Sequence, residues 1–245
     1  MIKEIQRESE ISGVNSPLLT RIFIGFKYKT GSDNAWKQIN ENNDTVALLA
    51  SVEGNFTLAL TEKANLEEIK EFICFVGYNS VVSDLPLKEN TENEFSLFKF
   101  NGNGPVKALG EFSTLDGNSA VNDYKRYHEL IFFDEKCDFE NWYYDFSKKI
   151  VKNDAKAVAL KNREELISVA TAPAIFKDTA IISGVFTKER FRKNGCAAAT
   201  IYELIAELQK LGVTEYFLWC EKILEKFYNK IGFQKVGSIY METEL

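Results

Sequence analysis

Lys188, Arg190, Arg192 and Lys193 crowd a short stretch that runs through Asn194-Gly195-Cys196-Ala197 into an apolar, helix-forming segment. The first turn of a helix leaves unpaired N–H donors that together carry about half a positive charge. A glycine there lets the backbone approach a ligand with no Cβ in the way, and the combination is an anion site sized for a pyrophosphate. Small residues follow at Cys196, Ala197, Ala198 and Ala199, so a bulky group has room beside the first turn. The same residues also describe a solvated basic loop with a turn glycine, and their spacing alone does not separate the two readings.

Few other residues offer chemistry. His128 is the single histidine, so any Ser-His or Cys-His mechanism would run through it. Its setting, Tyr124-Lys125-Arg126-Tyr127-His128-Glu129, reads as a surface or interface histidine rather than a base. Cys74, Cys137, Cys196 and Cys220 stand far apart with no CxxC pair, which excludes a standard zinc finger, argues against a disulfide scaffold and leaves no metal expected. A thiol at a helix start, as at Cys196, is where a lowered pKa is found. It lacks a partner base and reads as a small residue of the loop. No Asp, Glu or His occurs in 166–172 or 180–186; Glu164, Glu165 and Asp178 lie at the ends of those segments, where acidic side chains are usually solvated.

The elements that must hold this loop follow from periodicity. Extended segments are expected at 155–160, 166–172 and 180–187, preceded by a helix over 139–151. A helix from about Gly195 to Leu211 carries the stripe Ala197, Ile201, Leu204, Leu208, Leu211 and stops at Gly212. The apolar run Tyr216 to Cys220 fits a parallel strand covered on both faces, which makes strand, helix and strand a crossover unit. A last helix over Lys222 to Ile231 ends before Gly232, and a strand over 233–240 follows. Earlier in the chain, strands at 45–49 and 56–60 flank a turn at Glu53-Gly54-Asn55. The helix after them, with Leu66, Ile69, Ile73 and Val76, has Asn65 and Glu68 spaced as a capping box and Gly77 at its stop; a strand begins at Val81-Val82. The richest turn chemistry, from Asn101-Gly102-Asn103-Gly104-Pro105 through Gly110 to Asp116-Gly117, places a domain boundary between residues 115 and 116. Both halves thus share the order strand, strand, helix, glycine, strand.

The 245 residues leave room for one large or two modest domains. A content of 45% hydrophobic and 27% charged residues is that of a folded globular chain. The formal charge of −6 argues against a dedicated nucleic-acid surface. The mixed charges of Met1 to Glu8 are unlike a secretory signal, and no window approaches the ~18 apolar residues of a membrane span. The expectation is a cytoplasmic protein with reduced cysteines.

The stretch Gly184 to Ala197, GVFTKERFRKNGCA, resembles motif A of the GNAT superfamily of acyl-CoA-dependent N-acyltransferases, with Val185, Phe186 and Thr187 followed by Arg192, Gly195 and Ala197. Phe227-Tyr228-Asn229-Lys230-Ile231-Gly232-Phe233 is similar to motif B of the same family. The resemblance covers about 155–240. It implies an α/β (α+β) fold, a mixed, mostly antiparallel twisted sheet with flanking helices. The echo between halves extends this to a tandem, with a degenerate GNAT-like domain at 1–115 and an acyl-CoA-binding GNAT domain at 116–245.

The resemblance also implies roles. Val185, Phe186 and Thr187 would meet the pantetheine arm of acetyl-CoA in a gap between splayed strands. Arg192, Lys193, Asn194, Gly195, Cys196 and Ala197 would wrap its pyrophosphate, mainly through backbone amides. Tyr228 falls where relatives place the tyrosine that protonates the leaving thiolate. It also lies on the apolar stripe Ile223, Leu224, Phe227, Tyr228 and Ile231, which reads as a core face with the hydroxyl at its rim. A side-chain base is missing, so water would carry the amine's proton. Ala198 stands where relatives often have Ser or Thr, and Glu221-Lys222 replaces an Asn-rich turn. The implied activity is acetyl transfer from acetyl-CoA to a primary amine by direct transfer in a ternary complex, with a non-catalytic acyl-CoA-binding or regulatory module as the alternative. The acceptor is expected to be a small-molecule amine rather than a protein, with no nucleic acid, membrane or metal involved, and the chain a monomer or homodimer. Trp142, Tyr143 and Tyr144 read as helix-to-sheet packing.

Overall fold

A computed structural model describes residues 1–89, 93–102, 111–132 and 137–245. In chain order its elements are β1 (Ile2–Glu4), α1 (Leu19–Lys27), β2 (Asn34–Ile39), β3 (Thr45–Val52), β4 (Asn55–Leu60), α2 (Leu66–Val76), β5 (Ser80–Ser83), β6 (Glu94–Phe100), β7 (Glu111–Leu115), α3 (Val121–Ile131), α4 (Phe139–Val151), β8 (Lys156–Asn162), β9 (Glu165–Phe176), β10 (Thr179–Thr187), α5 (Cys196–Lys210), β11 (Glu215–Cys220), α6 (Glu225–Lys230) and β12 (Phe233–Glu242). The expected α/β class with a mostly antiparallel sheet is what forms. The turn residues 103–110, on which the domain boundary partly rested, lie outside the described residues.

Two compact units result. The first holds Met1–Lys99, Trp219–Asn229 and Gln234–Leu245; the second holds Phe100–Leu218 and Lys230–Phe233. The boundary expected between 115 and 116 thus falls inside the second unit, and the first takes back two segments from the end of the chain.

In the second unit the strands run β11-β10-β9-β8-β7. The pairs from β10 to β7 are antiparallel and β10 lies parallel to β11. A parallel neighbour needs a crossover, and α5 supplies it. Ile201, Leu204 and Leu208 of the expected stripe are fully buried, and α5 packs on β8, β9 and β10. The helices α3 and α4 close another core, in which Tyr124, Tyr127, Phe146 and Ile150 pack with Ala157, Ala159 and Val169.

In the first unit β2-β3-β4 form an antiparallel meander, β4 lies parallel to β5, and α2 is the crossover. The last strand of the chain, β12, then pairs antiparallel with β5, Met241 opposite Val82. Trp36 stacks on Phe56 with ring centroids 5.9 Å apart, over a core of Leu49, Leu58, Ile69 and Ile73. Half of the expected capping box of α2 forms: Asn65 Oδ1 accepts from the Glu68 amide at 3.1 Å. The reciprocal half is replaced. Gln38 Oε1 accepts from the Asn65 amide at 2.9 Å, and Gln38 Nε2 donates to Glu68 Oε2 at 2.7 Å. A buried glutamine from β2 has taken the place of the local partner.

The last helix is shorter than expected. Lys222–Leu224 form a 3₁₀ turn before α6, and Ile223 and Leu224 are exposed, so the apolar stripe read across them does not face a core. Among the described residues no helix is long and apolar enough to cross a membrane.

Candidate active site

The strand β10 opens the site. Its ladder to β9 shifts register twice, between Ile181 and Ser183 and again between Ser183 and Phe186. Hydroxyls of β9 replace the lost rungs: Thr171 Oγ1 donates to the Ser183 carbonyl at 2.9 Å and Ser168 Oγ to the Phe186 carbonyl at 3.1 Å. Gly184 sits in this bulge at φ +56°, where a Cβ would lie 3.0 Å from Thr171 Oγ1, so the bend requires glycine. On its other edge β10 pairs with β11 only from Thr179 to Ile181, opposite Glu215 to Phe217. No further rung follows among the described residues, although β10 continues to Thr187. The two parallel strands part at Ile181. Val185 and Phe186 are half-buried beyond that point and Thr187 is buried.

The loop after Thr187 is held from below by a carboxylate. Glu165 accepts from Lys188 Nζ at 2.7 Å and also from Arg190. The Lys188 hydrogen bond, with Arg190, keeps its carboxyl below the usual carboxylate range. Two of the four cations are thereby neutralised, and Glu165 is committed to them rather than placed as a base. Arg192 is exposed, with Nε donating to the Thr187 carbonyl at 3.0 Å and its guanidinium 5.6 Å from the centre of the Phe186 ring. Lys193, Asn194 and Gly195 are exposed. Lys193 at φ +64° and Gly195 at φ +77° flank Asn194, the kind of alternation in which successive N–H groups converge on an anion.

The start of α5 is also uncommitted. It has no side-chain cap and no acidic residue in its first turn, whereas α2 and α4 are capped by Asn65 and Asp138. A Cβ built on Gly195 meets nothing within 4 Å. The surroundings of Gly195, an open approach, a positive-φ turn and uncapped amides, fit a diphosphate. The expected acidic shift of Cys196 is not found: burial pushes its thiol up. Beside the loop, Arg126, Glu129, Glu164, Glu165 and Lys188 line a cleft of about 420 Å³ with mixed charge.

The other candidates are placed as follows. Tyr228 lies in α6 in the first unit, 7% exposed, with its ring 6.2 Å from Phe98 and 5.0 Å from Phe227. Burial, and then Cys220, push its phenol up to about 12. His128 is not at a surface. It is 9% exposed, boxed by Phe132, Phe139 and Trp142 at 4.9, 5.4 and 5.2 Å, and its Nε2 has no hydrogen-bond partner. Burial lowers its pKa, so it is a neutral imidazole in an aromatic box. Asp178 belongs to the turn before β10, where its carbonyl accepts from Thr214 at 2.8 Å and Glu215 at 2.9 Å. Tyr143 packs on Tyr124 at 5.0 Å, while Tyr144 is exposed under Lys148.

Residues 128–244 match the profile of the acetyltransferase (GNAT) domain. That stretch, a little under half of the chain, is similar to a GNAT domain. No curated protein sequence matches the chain. Solved structures share the fold over nearly its whole length. A GCN5-related N-acetyltransferase from Sphaerobacter thermophilus has TM-score 0.61 at 9% identity, covering 98% of this chain and 94% of that one. A GNAT-family acetyltransferase from Colwellia psychrerythraea has TM-score 0.60 at 10% identity over 100% of both chains. A tandem GNAT protein from the clavulanic acid biosynthesis pathway has TM-score 0.59 at 8% identity, covering 96% of this chain and 91% of that one.

The first unit repeats the strand and helix order of the second, three antiparallel strands, a crossover helix and a parallel strand, but not its opening. Rungs join β4 to β5 from Asn55 opposite Ser80 to Leu58 opposite Ser83. At the end of that ladder Asp84 Oδ1 accepts from the Leu60 amide at 2.8 Å. The strands stay zipped where β10 and β11 part. The connection to α2 is short and ends in a capped helix start. The hollow beside it, about 600 Å³, is lined by Asp44 and Glu62 together with Lys63.

Proposed function

We propose that this chain is an N-acetyltransferase that transfers an acetyl group from acetyl-CoA to a primary amine by direct transfer in a ternary complex. The observation that carries this reading is the parting of β10 from β11 at Ile181, directly before an uncapped α5. Val185, Phe186 and Thr187 would meet the pantetheine arm. The amides of Arg192, Lys193, Asn194, Gly195, Cys196 and Ala197 would hold the pyrophosphate, with Arg192 and Lys193 as the cations that Glu165 does not claim. Thr187 departs from this picture in one respect. Its carbonyl already accepts from Arg192, which leaves its amide for the ligand.

Acetyl-CoA supplies an activated thioester, and the protein's own part is proton control. Tyr228, with a pKa of about 12, holds its proton more tightly than a thiol of pKa ~8.5, and complete transfer to a thiolate is uphill by about 5 kcal/mol. Its role on this reading is to stabilise the leaving thiolate by donating a hydrogen bond. The proton shed by the attacking amine leaves through water, because the faces of β9 and β10 beside the bulge carry no carboxylate. A melting-temperature shift with acetyl-CoA tests binding, and release of free thiol across an amine panel tests turnover. No shift sinks the reading. A shift without turnover with any amine favours the acyl-CoA-binding module, for which the missing carboxylate is the supporting observation.

The first half is proposed to be a degenerate copy of the GNAT fold. Its β2-β3-β4 meander, parallel β4 and β5, and crossover α2 support this, and Asp84 marks where the opening closed. On this reading one chain takes one acetyl-CoA.

A further inference from the structure

His128 is buried with half of its hydrogen bonding unmet. It stands on α3 among the rings of Phe132, Phe139 and Trp142. The Cys137 carbonyl accepts from the imidazole, while Nε2 is buried with no partner. A carbonyl accepts only from a protonated nitrogen, so Nδ1 carries the proton and Nε2 keeps a bare lone pair. A second proton would turn Nε2 into a charged donor with no acceptor, and that costs far more to bury than a lone pair. Burial accordingly holds the pKa below the ordinary histidine value, against the Cys137 carbonyl and the charges of Asp138 and Glu129, which favour the proton. Those two carboxylates are the charged groups that act on the imidazole among the described residues. Glu129 is exposed on α3, and Asp138 caps α4 by accepting from the Asn141 amide at 3.0 Å. Neither bonds Nε2.

The aromatic box joins two helices. His128 and Phe132 come from the end of α3, Phe139 and Trp142 from the start of α4. The last residue of α3 reaches the bulge of β10, where a Cβ on Gly184 would lie 3.4 Å from Ile131 Cγ2, and α3 packs on both β9 and β10. Loss of the contact between α3 and α4 therefore loosens the cover over the strand that parts from β11.

We propose that His128 is a pH switch: proton uptake at Nε2 unlocks α3 from α4 and loosens the bulge of β10, so that acetyl-CoA binding weakens in mild acid. The effect on acetyl-CoA rests on the acetyl-transfer reading above, whereas the proton uptake does not. His128 is the only histidine in the chain, so the imidazole proton resonances of the intact protein report its titration directly. Their midpoint should lie below the ~6.5 of an unfolded chain, and Trp142 fluorescence, assigned with Trp142→Phe, should change with the same midpoint. A midpoint at or above ~6.5 would mean that the rings hold an imidazolium by cation–π attraction, and it overturns the switch. So does a Trp142 signal indifferent to the titration. A histidine with a lowered native pKa takes its proton first in the unfolded chain, so the stability it contributes is complete above about pH 6.5 and is lost as pH falls below it. From about pH 7.5 to about pH 5.5 the melting temperature of wild type should fall by at least about 2 °C more than that of His128→Phe, which shares every other titrating group; equal falls overturn the proposal. Over the same range calorimetry should show the Kd for acetyl-CoA rising at least about threefold more in wild type than in His128→Phe, and an equal response in the two also overturns it. Should His128→Phe not fold, the wild-type titration and the Trp142 signal decide alone. If acetyl-CoA binds at no pH, the acetyl-transfer reading fails while those two measurements still decide whether His128 switches.

Discussion

Tyr228 holds its proton to a pKa of about 12, well above the range in which most enzymes are assayed. The pH–rate profile should therefore show no alkaline fall below about pH 10 that depends on this residue, and Tyr228→Phe should leave the shape of the profile unchanged. The same variant should lower kcat about ten- to a hundredfold with little change in KM for acetyl-CoA; an unchanged kcat would remove Tyr228 from the mechanism. Motif B placed Tyr228 at this position in the sequence. Its apolar stripe already allowed a core position, but the residue that packs on it was not legible there, because Phe98 is 130 positions away. His128 shows the opposite error. Its charged neighbours Arg126 and Glu129 suggested a surface, but one face of α3 turns it into Phe132, Phe139 and Trp142.

At the scale of elements, the acetyl-CoA reading proposed above leaves the uncapped start of α5 open for a ligand. An acid in the first turn should stabilise the helix by about 0.5 kcal/mol and compete with the bound pyrophosphate. Ala198→Glu is thus expected to raise the melting temperature slightly and weaken acetyl-CoA binding at least about tenfold, measured by calorimetry; tighter or unchanged binding would exclude a phosphate at this turn. Asp84 closes the corresponding opening in the first unit, and burial raises its pKa above the ordinary aspartate value. A carboxyl whose native pKa is raised takes up a proton on folding, so its stabilising contribution is present at low pH and is lost as pH rises through the native value. Asp84→Asn, which keeps an acceptor for the Leu60 amide, should raise the melting temperature more at pH 7 than at pH 4. An equal shift at both values would show that Asp84 does not titrate in this way. The helices α2, α4 and α5 were readable from apolar spacing and glycine stops. The exchange of a local capping partner for Gln38 was not, since β2 had to be brought beside α2 first.

At the scale of the whole molecule, the two units are not consecutive in the chain. Because β12 pairs with β5, a fragment spanning 116–245 would carry β12 without its partner and present an unpaired strand edge. Such a fragment should be insoluble or bind acetyl-CoA poorly, and co-expression with 1–115 should restore a soluble complex; a stable, fully active fragment would count against the interleaved arrangement. Calorimetry on the intact chain should give one acetyl-CoA per chain, because β4 and β5 stay zipped. A stoichiometry of two would overturn the view that the first unit is closed.

The sequence by itself determined the elements around the loop, the glycines at 184 and 195, the basic stretch between them and the resemblance that joins motifs A and B. These depend on backbone preferences and side-chain periods that act over a few residues. Only the tertiary structure decided which cations stay available, since Glu165 claims Lys188 and Arg190 from another strand. It also decided that Tyr228 is buried and that β12 returns to β5. Burial and charge pairing depend on neighbours that folding brings together from distant positions, and no local pattern in 245 residues records them.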